Sequence, residues 1–63
     1  MIDFIEVRSV YNYRGKIESR KTMVNVLEIL RVIDNGDLPA KIVFRNGQNI
    51  DTVETYKQIL EKL

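Results

Sequence analysis

The chain has 63 residues, of which 44% are hydrophobic and 30% charged, and its formal net charge is only +1. This balance is typical of a folded globular protein, and the length allows a single domain, residues 1–63, with one small core. The sequence contains neither cysteine nor histidine, which excludes disulfides, Cys/His zinc sites and histidine-based acid–base catalysis. We therefore expect a protein that is not an enzyme and has no cofactor, no metal and no small-molecule substrate.

The apolar segments are all too short to cross a bilayer, and the first residues lack the basic and apolar regions of a signal peptide. These features predict a cytoplasmic protein with no membrane partner. The absence of cysteine agrees with that compartment.

The first part of the chain is predicted to form a hairpin. Residues 2–13 are rich in β-branched and aromatic side chains with partial alternation, which indicates a strand. Arg14-Gly15 then predicts a turn into a second strand around residues 16–20. One face of the first strand carries Ile5, Val7, Tyr11 and Tyr13, and the other carries Glu6, Arg8 and Asn12.

The segment 22–34 has two readings. Polar residues recur at every third position, with Thr22 as an N-cap and Gly36 after the last turn, and this pattern favours a second helix. Five of its eight apolar residues are β-branched, however, and such residues favour strands. The alternative is therefore a broken strand.

A second hairpin and a helix are predicted to complete the domain. A strand at 40–44 enters a three-residue loop, Arg45-Asn46-Gly47, whose length would place Ile50 opposite Ile42. From Asp51 onwards, apolar residues at helical spacing predict a C-terminal helix packed on the sheet, with Asp51 and Glu54 as a capping box. The apolar face of that helix comprises Val53, Tyr56, Ile59, Leu60 and Leu63. The fold class is thus α+β, with two hairpins in a small antiparallel sheet.

The first hairpin also has a local excess of positive charge interleaved with tyrosines. Such a pattern can bind nucleic acid through phosphate contacts and stacking. It can equally reflect core tyrosines and a charged edge strand that resists pairing with other chains. The candidate nucleic-acid-binding residues are Arg8, Tyr11, Tyr13, Arg14, Lys16, Arg20 and Lys21.

Self-association is expected from residues 23–33, where eight of eleven residues are apolar. One small sheet cannot cover so many apolar side chains, so some should lie in a contact between subunits. The candidate interface residues are Met23, Val26, Leu27 and Leu30.

Three short blocks of apolar and turn residues follow one another in residues 20–63. They are Arg20, Met23, Val24, Asn25, Val26, Ile29 and Val32, then Ile42, Phe44, Asn46, Gly47 and Ile50, then Tyr56 and Leu60. Through these blocks, residues 20–63 resemble the second half of the LytTR-type DNA-binding domain of bacterial response regulators, and small flagellar FlbD-type proteins have a similar pattern. The resemblance implies a transcription-related DNA-binding module and favours the broken strand at 22–34. Val53-Glu54 stand where that family has a Ser-Arg pair close to DNA.

Two functions follow as expectations. The first is a small bacterial or phage regulatory or adaptor domain that binds protein and forms homo-oligomers. The alternative is a nucleic-acid-binding module that uses the basic hairpin.

Overall fold

The computed structural model describes residues 3–63, which form a five-stranded antiparallel sheet with one helix packed on it. The strand order is β2-β1-β5-β4-β3, so β2 and β3 are the two edges. No helix of residues 3–63 is long and apolar enough to cross a membrane. The elements are β1 (Phe4–Tyr13), β2 (Lys16–Asn25), a 3-10 turn (Val26–Glu28), β3 (Ile29–Ile33), β4 (Pro39–Phe44), β5 (Asn49–Thr55) and α1 (Tyr56–Lys62).

The first predicted hairpin is confirmed, and its second strand is longer than expected. β1 and β2 pair without interruption from Phe4 opposite Asn25 to Tyr13 opposite Lys16. The two loop residues, Arg14 and Gly15, both have positive φ, 53° and 79°, which is the conformation that suits the twist of a two-residue hairpin. The start of the predicted strand, at Ile2, lies outside the described residues.

The second helix predicted at 22–34 is wrong. This segment is the end of β2, a single 3-10 turn and β3, which is the broken strand of the alternative reading. Asn25 makes the break by accepting a hydrogen bond from the Leu27 backbone N–H at 3.0 Å. β-branched side chains lose rotamer freedom in a helix and pack well in a sheet, so tertiary pairing outweighed the three-residue polar spacing.

The second hairpin has the predicted register. Ile42 lies opposite Ile50, and Gly47 in the loop has φ of 89°. The helix, however, begins later than predicted: residues 49–55 are strand, and the capping box is formed by Thr55 and Gln58 instead of Asp51 and Glu54. β5 is the central strand between β1 and β4, and this double pairing holds its first half extended.

The sheet must be strongly curled, because its two edge strands are consecutive in the chain. In a flat sheet, β2 and β3 would lie about 19 Å apart across four strand spacings. The four steps from Asn25 to Ile29 can span only about 14 Å. The 3-10 turn therefore draws the two edges together at one end, and the Val26 N–H bonds the Asp3 carbonyl there at 2.9 Å.

The core lies inside this curl and is small. Six hydrophobic residues are buried among those described, and α1 contributes one of them, Ile59, which is fully covered. Thr52 is also buried, and its hydroxyl can donate to the Ala40 carbonyl at 2.9 Å, where the β4–β5 register shifts. The buried hydrophobic residues are Ile5, Val7, Val24, Ala40, Ile42 and Ile59.

Alanine substitutions in the helix should distinguish its buried apolar side chains from its exposed ones. Ile59→Ala should lower the free energy of unfolding by about 2–5 kcal/mol, because it leaves a cavity in the core. Leu60 is 52% exposed, so Leu60→Ala should cost about 1 kcal/mol, near the centre of ordinary substitutions. Urea unfolding followed by circular dichroism measures both values, and a larger loss for Leu60→Ala would contradict this packing.

Candidate binding surfaces

The tip of the first hairpin extends beyond the rest of the sheet. β5 pairs with β1 at Ser9 and Val10, and past these positions β1 and β2 pair only with each other among the described strands. We call residues 11–18 the arm. Because no third strand lies beside the arm, its side chains are largely left to solvent.

Both tyrosines of the arm lie on the same face as the core residues of β1, but beyond the core. Tyr11 is partly buried, and its hydroxyl donates to a carboxylate oxygen of Glu18 at 3.1 Å. The Arg20 guanidinium lies over the Tyr11 ring, 3.9 Å from its centroid. Tyr13 is 53% exposed, with Arg14 at 5.3 Å from its ring centroid. Tyr13 is thus a surface side chain.

The structure divides the candidate nucleic-acid-binding residues between the two faces of the hairpin. Lys16 lies opposite Tyr13, and Arg20 lies on the same face of the hairpin as Lys16. Arg8 and Lys21 lie opposite each other on the outer face, where two like charges face each other across the strands. A single ligand surface can therefore combine Tyr11, Tyr13, Lys16 and Arg20 with Arg14 at the tip, but not Arg8 and Lys21.

Glu54 links β5 to the start of the hairpin. Both carboxylate oxygens lie 3.1 Å from the Arg8 backbone N–H and accept a hydrogen bond from it. The β4–β5 register shifts between Pro39 and Lys41, next to this point of β5. The side chain of Glu54 therefore replaces a strand carbonyl as the acceptor where regular pairing between β1 and β5 ends.

A second candidate surface surrounds the turn that joins the two edge strands. Of the predicted interface residues, Met23, Leu27 and Leu30 are 62%, 63% and 51% exposed. Val26, by contrast, packs against the core. Phe4, 52% exposed, adjoins this surface, because it lies opposite Asn25 and diagonally to Met23. We call Phe4, Met23, Leu27 and Leu30 the edge patch.

The sequence did not reveal an apolar groove between α1 and β3. It has a volume of about 180 Å³ and is lined by Val32, Tyr56, Ile59, Leu60 and Leu63. Helical spacing indicated an apolar face on α1. It did not indicate that about half of the surface of each of Leu60 and Leu63 would remain exposed to solvent. No three carboxylates of residues 3–63 converge as a metal site would require.

No protein-family model, curated protein or solved structure matches this chain.

Substitution of Glu54 should reveal how far its carboxylate holds the hairpin to β5. Glu54→Ala removes the acceptor of the Arg8 N–H and should lower the free energy of unfolding by about 1–2 kcal/mol. Glu54→Gln keeps one acceptor oxygen and should lose less. Chemical denaturation with amide hydrogen exchange at Arg8 tests both variants, and equal stability of wild type and Glu54→Ala would contradict the role.

Proposed function

We propose that this protein is a non-enzymatic adaptor or regulatory domain that acts by binding protein, and that its first partner is a second copy of itself. The edge patch is the surface assigned to this contact. The observation that carries the proposal is the amount of apolar side chain left uncovered around the turn between β2 and β3.

More of the large apolar side chains are exposed than are buried. Among residues 3–63, eleven large hydrophobic side chains are at least 38% exposed, whereas six hydrophobic residues are buried. A core this small contributes little stability, and small domains commonly obtain more by association. Contiguous exposed apolar patches on soluble proteins mark interaction sites. The edge patch brings four such side chains to one end of the sheet.

The charges beside the edge patch favour a second copy as partner. In the chain, Glu28 directly follows Leu27 and Arg31 directly follows Leu30, and Glu6 lies opposite Met23. A two-fold contact places the same patch on both subunits, so each residue meets a partner from the other copy. A patch bordered by both signs of charge can therefore be complementary to itself.

A charge placed in the edge patch should prevent association. Leu27→Asp should raise the dimer dissociation constant at least tenfold, because it would bury an unpaired carboxylate in an apolar contact. Leu38→Asp is the matched control, since Leu38 is 67% exposed in the β3–β4 loop and lies outside the patch. Sedimentation equilibrium over a micromolar concentration series measures the effect.

The wild type and Leu38→Asp should both approach twice the monomer mass at high micromolar concentration, while Leu27→Asp remains monomeric. A wild-type chain that stays monomeric throughout that range would overturn self-association. Equal weakening by both substitutions would show that the contact lies elsewhere.

A further inference from the structure

We infer that the arm is a binding site for single-stranded nucleic acid, in which Tyr13 stacks on a base and Arg14 and Lys16 contact the flanking phosphates. This site is separate from the edge patch and does not depend on self-association. The inference rests on the position of Tyr13, on the charges around it and on the backbone of Arg14.

Tyr13 occupies a position that the packing of the domain does not explain. It is 53% exposed and lies beyond the last pairing between β1 and β5, so it adds little to the core. Tyr11, by contrast, is covered by the Arg20 guanidinium at 3.9 Å. An exposed aromatic ring beside cations is the arrangement on which bases stack in proteins that bind single strands.

The charge around Tyr13 is positive. Lys16 lies directly across the strand pair from Tyr13, and Arg14 follows it at the tip. The acid of the arm, Glu18, is two pairs further from the tip and accepts a hydrogen bond from the Tyr11 hydroxyl. The Arg14 guanidinium lies over the Tyr13 ring, 5.3 Å from its centroid, and Lys16 is the cross-strand neighbour of Tyr13. Both cations thus adjoin the exposed ring, where they are available to phosphates of a strand whose base stacks on it.

The backbone of Arg14 gives an independent indication. Its φ of 53° is left-handed, a conformation that costs most residues about 1 kcal/mol and that Asn and Gly adopt readily. Asn-Gly is the pair that two-residue hairpin turns favour, so turn geometry by itself does not select Arg at this position. Positive charges that serve only to keep an edge strand from pairing with other chains act within the strand, and Arg14 lies in the turn. The strained arginine therefore indicates that its charge is used there.

The experiment measures the fluorescence anisotropy of a labelled mixed-sequence single strand of about 12 nucleotides, titrated with the whole chain at about 50–200 mM salt. Arg14→Asn with Lys16→Thr removes both cations yet retains residues suited to the turn and the strand. This double variant should weaken binding to all sequences. It should also flatten the salt slope, which is the slope of the logarithm of the binding constant against the logarithm of the salt concentration, by about 1.4, because each phosphate contact contributes about 0.7.

Tyr13→Val tests the stacking separately. It keeps a strand-forming side chain and should weaken binding by a factor of about 5 to about 150, since stacking contributes about 1–3 kcal/mol per base. The matched control is Lys57→Gln with Lys62→Gln, which removes two cations from exposed positions of α1. This control should leave affinity and salt slope nearly unchanged.

Three results would overturn the inference. The first is no binding at about 50 mM salt, where phosphate contacts are strongest. The second is equal weakening by the arm and helix double variants, which would indicate unspecific charge attraction. The third is full affinity of Tyr13→Val together with tighter binding of a labelled duplex of the same sequence, titrated in the same way, which would indicate that the arm binds a groove of the duplex without stacking on a base. Amide hydrogen exchange confirms that the arm of each variant stays folded.

Discussion

The short connection between β2 and β3 is the constraint on which this structure depends. It joins the two edges of a five-stranded sheet through one 3-10 turn, Val26–Glu28, so the sheet must curl until those edges approach each other at one end. The curl encloses a core that a single buried side chain of α1, Ile59, can close. A longer connection would permit a flatter sheet, whose inner face a seven-residue helix could not cover.

The same constraint explains why apolar side chains remain outside. Successive side chains of a strand point to opposite faces of the sheet, so only alternate residues face the inside of the curl, as Ile5, Val7 and Val24 do. At the connection, Val26 packs against the core, whereas Leu27 remains 63% exposed. The two binding proposals therefore occupy opposite ends of the β1–β2 hairpin: the edge patch lies where the sheet curls closed, and the arm where the hairpin leaves the sheet.

Much of the local structure could be predicted because it depends on short-range steric rules. The Arg14-Gly15 turn, the alternation of β1 and the three-residue loop ending at Gly47 were all correct. The site could be predicted only in part. The basic and aromatic residues of the hairpin were recognisable, but their division between two faces requires the pairing of β1 with β2, and the groove beside Val32 requires the position of α1.

By itself, the sequence determined the α+β class, the two hairpins and the register of the second, because turn geometry and period-2 patterning act within a few residues. Tertiary structure decided the state of residues 22–34 and the start of α1. In both places the pattern suited a helix, and pairing with another strand prevailed: β3 with β4, and β5 with both β1 and β4. The partner strand lies outside the segment whose pattern is read, and for β5 it includes β1, where Ser9 pairs with Thr52, so the pattern of the segment alone does not contain the energy that decides its state.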